Sequence, residues 1–175
     1  MRDIVDENDR RKVFSEIEIL QTLKHENHIK LLETVLTQTH ICMVMELCPG
    51  GDLLTYVRKR RKLPELQAKY IFRQIVRALA YLHQNLIVHR DIKLENILLD
   101  GHGYIKIGDF GVSQKIEHSE EILFEQCGTP IYIAPEIVRE HGYRGCPADV
   151  WSAGVCLWAM VIGSIPFKND KSRTY

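Results

Sequence analysis

His89-Arg90-Asp91-Ile92-Lys93-Leu94-Glu95-Asn96 and, thirteen positions after Asn96, Asp109-Phe110-Gly111 are the runs on which the reading of this 175-residue chain turns. The first gathers a carboxylate, an ammonium and an amide within eight residues, and the second adds another carboxylate at the end of a predicted hairpin. Asp91 is suited to accept a proton from an attacking hydroxyl, and Lys93 to neutralise a transferring phosphoryl group. Asn96 and Asp109 offer oxygens to Mg2+, a hard cation held by few protein groups together with substrate phosphates. Phosphoryl transfer asks mainly for positioning and charge stabilisation, so this short set of groups is nearly sufficient for it.

Composition narrows the classes. Apolar residues make up 45% of the chain, as in an ordinary globular domain. Lys+Arg and Asp+Glu cancel at 23 each, so no global field draws the chain to nucleic acid or to a membrane. Five cysteines, an odd number without a C-x-x-C pair, read as the reduced thiols of a cytosolic or nuclear protein. The start of the chain carries Arg2, Asp3, Asp6, Glu7 and Asp9 and no apolar run, so no signal peptide is expected. The most apolar stretch, residues 150–165, is short for a membrane span and contains Gly154 and Gly163, which makes it a predicted buried core helix.

Periodicity places these motifs on elements. Val13, Ile17, Leu20 and Lys24 recur at helical spacing, predicting an amphipathic helix over 7–24. Two strands are predicted over 31–36 and 40–46, the second apolar on both faces and therefore expected to be buried. Pro49-Gly50-Gly51 breaks the pattern, and Asp52 is placed to cap a short helix after it. A long helix follows Pro64 as far as Gln84, with Ala68, Ile71, Phe72, Ile75, Leu79 and Leu82 as its apolar stripe. Residues 97–107 read as a hairpin around Asp100-Gly101, which brings Asn96 and Asp109 to one end. Residues 112–126 are polar, acidic and aperiodic, the pattern of a mobile loop. Residues 149–162 form a helix without Lys or Arg, apolar all round and hence expected to be central.

With both motifs in order, the chain resembles a eukaryotic protein kinase from about Glu16 to Phe167. The resemblance implies an α+β, two-lobe fold: a partial small lobe over 1–47, with one helix and two strands, and a partial, mostly helical large lobe over 48–175. It implies ATP and Mg2+ as cofactors and Ser/Thr-bearing proteins as substrates. Glu16 matches the cleft-facing glutamate of the helix beside the catalytic site, whereas alone it would read as a surface acid paired with Lys12. Leu20, Leu31, His89 and Phe110 match an internal column, and Asp149 the acid that anchors it. Met45-Glu46-Leu47-Cys48 looks like the segment joining the lobes, where backbone groups of Glu46 and Cys48 hold adenine and Met45 narrows the pocket. Leu98 would lie beneath adenine. Asp52 sits where kinases bind ribose or a basic substrate side chain, and a plain helix cap is an equal reading.

Lys93 and Thr129, in Gly128-Thr129-Pro130, are similar to the serine/threonine branch, with the Thr129 hydroxyl expected to bond Asp91 and Lys93. Glu95, within the same loop, belongs with the nucleotide-binding set. Ala134-Pro135-Glu136 closes the segment, and Asp149-Val150-Trp151-Ser152 with Pro166-Phe167 most resembles the calcium/calmodulin-dependent and energy-sensing kinases. In kinases with an Arg before the catalytic Asp, a loop phosphate pairs with that Arg. Here Arg90 is that residue, and Glu125 falls at the usual phosphorylated position, so its carboxylate is a candidate built-in charge, with Ser119 as an alternative phosphosite.

Relative to the family the chain reads as short at both ends, lacking the glycine-rich loop and nucleotide-binding lysine before Glu16 and the arginine partner of Glu136. The piece alone is therefore expected to turn over little and to behave poorly, with β-edge and apolar surface uncovered. Two functions stay open: an active serine/threonine kinase seen in part, and a truncated pseudokinase acting as a binding or scaffold module. Intact Asp91, Lys93, Asn96 and Asp109 favour the first. The basic run Arg58-Lys59-Arg60-Arg61-Lys62 reads as a solvated turn, His25 and His28 as structural, and Cys127 as a packing residue.

Overall fold

The computed structural model describes residues 2–3, 7–37, 40–139 and 141–167, with side chains from Arg10 onward. Strand β1 (Arg2–Asp3) precedes helix α1 (Glu7–Thr22), which forms where the apolar spacing predicts it. Val13 and Ile17 of α1 meet Ile41 in a small cluster flanked by Leu31 and Met43. That cluster seats α1 on an antiparallel sheet ordered β1-β3-β2, with β2 spanning Leu31–Leu36 and β3 His40–Met45.

Strand β3 departs from expectation in two ways. Only Ile41 of its six residues is buried, and Val44 and Met45 are 43% and 39% exposed. Alternate side chains of a strand point to opposite faces, and α1 covers one face alone. The strand also gains a second neighbour, since Arg2 and Asp3 pair with Ile41 and His40.

Helix α2 (Leu53–Arg60) begins at the Asp52 cap, whose Oδ1 accepts from Thr55 N at 2.7 Å and whose Oδ2 accepts from Thr55 Oγ1 at 2.8 Å. Helix α3 (Glu65–Gln84) follows Pro64 and buries Ala68, Ile71, Ile75, Leu79 and Leu82, with Phe72 at the margin. Helix α4 (Gly145–Ile162) starts earlier than the sequence predicts and packs along α3. Its expected all-round burial does not hold. Ala153, Cys156, Ala159 and Met160 are buried, whereas Val150, Trp158 and Ile162 are 60%, 48% and 52% exposed. A helix lying on one layer buries only the stripe that faces that layer, however apolar its other side. By length and composition α4 suits a membrane span, yet half of it is buried in protein.

Between α3 and α4 the chain runs in short pairs. Strand β4 (Ile87–Val88) precedes the His89–Asn96 run, and β5 (Ile97–Leu99) pairs with β6 (Ile105–Ile107). Asp100 Oδ1 makes the hairpin turn by accepting from His102 N at 2.8 Å and Tyr104 N at 3.0 Å. Residues 112–126, expected to be a mobile loop without periodicity, hold two short strands. Strand β7 (Gln114–Lys115) pairs with β4, and β8 (Ile122–Leu123) with β9 (Tyr143–Arg144). Ser113, Ile116 and Leu123 are buried within it. Both partner strands lie about twenty or more residues away, so no local periodicity betrays them.

Gly50 N donates to Leu99 O at 2.9 Å and Leu99 N to Gly51 O at 2.8 Å, laying the segment after β3 on the hairpin. A Cβ on Gly50 would sit 2.6 Å from Leu99 Cβ, so only glycine permits this approach.

Candidate active site

Asp149, at the first turns of α4, organises the site from beneath. It is 1% exposed; its Oδ2 accepts from His89 N at 2.9 Å and its Oδ1 from Arg90 N at 2.8 Å. His83 Nε2 of α3 also donates to Oδ2, at 2.9 Å. These bonds hold Arg90 at φ 67°, a left-handed conformation that a side-chain-bearing residue adopts at a cost. The strain turns the chain so that His89 points inward and Asp91 toward the cleft.

His89 is fully buried, donating from Nε2 to Gly108 O at 3.1 Å and accepting at Nδ1 from Asp91 N at 3.2 Å. Those bonds define a neutral ring, and burial pushes its pKa below the ordinary value despite nearby Asp149, Asp91 and Asp109. Its ring meets Phe110 at 5.0 Å between centroids, and Phe110 meets His28 at 6.0 Å. His28, with His25 and Tyr81 around it, is driven by burial down to about 3 and stays neutral, which suits a structural role. Among the described residues no cluster of three or more His, Cys, Asp or Glu suits a metal.

At the cleft, Asp91 is the hub. Lys93 Nζ donates to Asp91 Oδ2 at 2.7 Å and to Thr129 Oγ1 at 2.9 Å, while Thr129 Oγ1 donates to Asp91 Oδ1 at 2.8 Å. Burial works against the Asp91 carboxylate, but the hydrogen bonds from Lys93 and Thr129 outweigh it and hold its pKa below 3.8. Asn96 Nδ2 donates to Asp91 O at 3.0 Å and to Oδ2 at 3.2 Å, which turns its amide oxygen away from Asp91. Gly108 N donates to Asn96 O at 2.9 Å, setting Asp109 beside Asn96. Asp109 is exposed, with φ 59°. Its carboxylate and the Asn96 amide oxygen are hard donors of the type Mg2+ takes.

Thr129 reaches Asp91 because Gly128 passes close to the backbone of Arg90. Gly128 has φ +100°, and a Cβ there would lie 2.7 Å from Arg90 O. Gly128→Ala should therefore displace Thr129 and lower phosphoryl transfer by about tenfold or more with nucleotide affinity retained. Steady-state kinetics with separate nucleotide titration checks it, and unchanged kcat would show that Thr129 does not position Asp91.

The remaining predicted residues fall as follows. Glu16 is 5% exposed, which removes its reading as a surface acid, and Leu20 is buried near it. Glu46 Oε1 accepts from Lys30 N at 2.8 Å and pairs with Lys106 Nζ at 3.0 Å. Its backbone N donates to Lys30 O at 3.0 Å, and Cys48 O accepts from Gly51 N at 3.3 Å, so the Glu46 carbonyl and the Cys48 N–H lie outside these bonds. Leu98 forms an antiparallel bridge with Asp52, the cap of α2. Glu95 accepts from Tyr132 Oη at 3.3 Å. Glu136 is half-buried and forms no ion pair among the described residues. Arg90 Nε donates to Val112 O at 2.6 Å and Nη2 to Glu125 Oε2 at 3.1 Å, while Tyr143 Oη donates to Glu125 O at 3.1 Å. Cys127 lies against Tyr143, and burial pushes its thiol above the ordinary value, which disfavours the thiolate. Sequence reasoning missed His83, Lys106, Tyr132 and Tyr143, each recruited from a distant element with no motif around it.

Comparison with known proteins agrees with this arrangement. A family model described as "Protein kinase domain" matches residues 2–175. NUAK family SNF1-like kinase 2 of Homo sapiens is 46% identical over 170 residues, covering 97% of this chain and 27% of that protein. CBL-interacting serine/threonine-protein kinase 7 of Arabidopsis thaliana is 42% identical over 161 residues, covering 91% of this chain and 38% of that protein. The probable serine/threonine-protein kinase MARK-C of Dictyostelium discoideum is 42% identical over 160 residues, covering 90% of this chain and 21% of that protein. The chain thus spans roughly a fifth to two fifths of the length of the curated relatives it matches. On the motifs, their geometry and these likenesses together, the chain belongs to the protein kinase domain family.

Proposed function

We propose that this chain is part of a serine/threonine protein kinase that moves the γ-phosphoryl group of ATP to Ser or Thr hydroxyls of protein substrates. The observation that carries the reading is the Asp91–Lys93–Thr129–Asn96 network, with Asp109 set beside Asn96 by the hairpin. Asp91 orients the acceptor hydroxyl and takes its proton, and Lys93 offsets the charge on the moving phosphoryl group. When bound, Mg2+ would be held by Asn96 and Asp109 and would neutralise phosphate charge. ATP would lie between the Glu46–Cys48 backbone, Leu98 and Asp52, with Glu95 at the margin and Glu16 on the opposite wall. Residues 1–47 then belong to the small lobe and 48–175 to the large one, in a cytosolic or nuclear protein.

The serine/threonine names of the relatives support the acceptor class, and no feature of the site favours a module without turnover. The test is transfer from labelled MgATP to a Ser/Thr peptide library by the protein that contains this chain. Asp109→Asn should cut turnover by about a thousandfold or more through lost metal binding. An Asp109→Asn protein with wild-type rate would remove the metal assignment.

Arg90 and Glu125 carry the regulatory part of the proposal. The Arg90 side chain is 6% exposed and Glu125 60%, so the carboxylate lies at the rim of a buried cation. Glu125 therefore stands in for an activating phosphate, with less charge and fewer acceptor oxygens. In protein free of phosphate, Glu125→Ala should lower basal activity several-fold, and Glu125→Thr should restore it only after phosphorylation. Basal activity indifferent to Glu125→Ala would sink the idea.

A further inference from the structure

Residues 58–77 carry eight Lys and Arg against one acid, Glu65, a net of +7 within a chain whose formal charge is zero. Five of the cations form the run 58–62, and the other three, Lys69, Arg73 and Arg77, lie on α3. All eight are exposed, and none forms an ion pair among the described residues. The run is held in place at both ends. Leu63 N donates to Met160 O at 2.8 Å, and a Cβ on Gly163, the cap of α4, would strike Arg61 O. Arg60 donates from Nη1 to Tyr56 O at 3.3 Å and lies 3.6 Å over the Tyr56 ring. Tyr56 Oη in turn accepts from Gln67 Nε2 at 2.8 Å, which joins the run to the first turns of α3 in one continuous surface.

On α3, Leu66, Lys69, Tyr70, Arg73, Val76 and Arg77 recur every three or four residues, on the face opposite the buried stripe. Leu66 is 82% exposed, and Tyr70 and Val76 are 51% and 46% exposed. A helix that lies in a lipid surface segregates its charges from its apolar side. The apolar side of α3 packs on the core instead, and its cations share the outer face with three further apolar residues. Interleaved charge and apolar surface fits the side chains of a protein segment. We propose that this face, with the run 58–62 beside it, docks an acidic segment of another protein. Asp and Glu carboxylates of that segment meet the Lys and Arg heads, and its apolar side chains cover Leu66 and Tyr70. From Leu66 to Arg77 the face is about 17 Å long, the length of three turns of a partner helix. The positive field steers the segment in, and the apolar contacts slow its release. None of these side chains bonds the Asp91 network, so the proposal stands apart from the kinase reading.

The test is fluorescence anisotropy with the protein containing this chain and a labelled helical peptide of about 14 residues built from Glu, Leu and Ala. One control peptide has Gln for every Glu, and a second has Ala for every Leu. The parent peptide should bind about tenfold or more tighter than the Gln twin and several-fold tighter than the Ala twin, and added salt should weaken it. Arg73→Glu should weaken the parent by about tenfold. Arg139→Glu, an equal charge change at an exposed residue outside the patch, should leave it as it is. Equal binding of the parent and the Gln twin, or equal effects of the two reversals, would overturn the site. Leu66→Ala without effect would overturn the apolar contacts. A uridine oligonucleotide or phosphatidylserine vesicles that displace the peptide and bind more tightly would overturn the assignment to a protein segment. Binding is read without ATP or turnover, so failure of this inference and failure of the kinase reading are told apart.

Discussion

Asp91→Asn should lower kcat by about a hundredfold to ten-thousandfold with little change in nucleotide affinity. The substitution keeps the size of the side chain and at most one of its acceptor oxygens. Lys93 and Thr129 each bond a separate Asp91 oxygen, so the Asn amide nitrogen must face one of these donors and the triangle opens. Wild-type turnover by the Asn variant would remove Asp91 from the mechanism. The pH dependence follows from the same bonds. The Asp91 pKa is depressed below 3.8, so the ionised form stabilises the fold above the unfolded value, and that contribution is lost only as pH falls through the lower folded value. Titration of Asp91 should therefore add no acid limb to kcat/KM between about pH 5 and 8. A limb in that range that disappears in the Asn variant would contradict this assignment.

Asp149→Ala should cost about 2–6 kcal/mol of stability, because the buried His89 N and the part-buried Arg90 N each lose an acceptor worth about 1–3 kcal/mol. Set against total stabilities of about 5–15 kcal/mol, that is enough to unfold a marginal domain. The isosteric Asp149→Asn should recover only part of the loss. Asn has one acceptor oxygen where both carboxylate oxygens are used, and its amide would face an N–H or His83. Denaturant unfolding of the two variants measures the difference. A change below about 1 kcal/mol for Asp149→Ala would mean that the strained Arg90 conformation is held by something else.

Local rules made much of this molecule legible. Apolar spacing located α1 and α3, the Asp100-Gly101 turn located the β5–β6 hairpin, and Asp52 proved to be the cap its chemistry indicates. The hydrogen bonds that Thr129 donates to Asp91 and accepts from Lys93 match what the resemblance to protein kinases implied. What stayed hidden depends on partners far away in the chain. Strands β7 and β8 have two residues each and no pattern of their own. The exposure of Val150 and Trp158 depends on which layers meet α4, a fact about neighbours and not about α4's own residues. His83 and Tyr143 gave no signal because an isolated His or Tyr acquires a role only from what the fold sets beside it.

The two-residue pairings β4–β7 and β8–β9 have a consequence for motion. Each joins residues 112–126 to the body through a very short ladder, whereas Ile97, Ile105 and Ile107 are wholly buried. Opening such a ladder breaks few backbone bonds and detaches only the small cluster around Ile116 and Leu123, so its amide hydrogens exchange with solvent through local openings cheaper than global unfolding. Amides of the β5–β6 hairpin exchange only when the whole domain opens. Residues 112–126 can thus be rearranged many times over while the carboxylates and amide of the cleft stay in place.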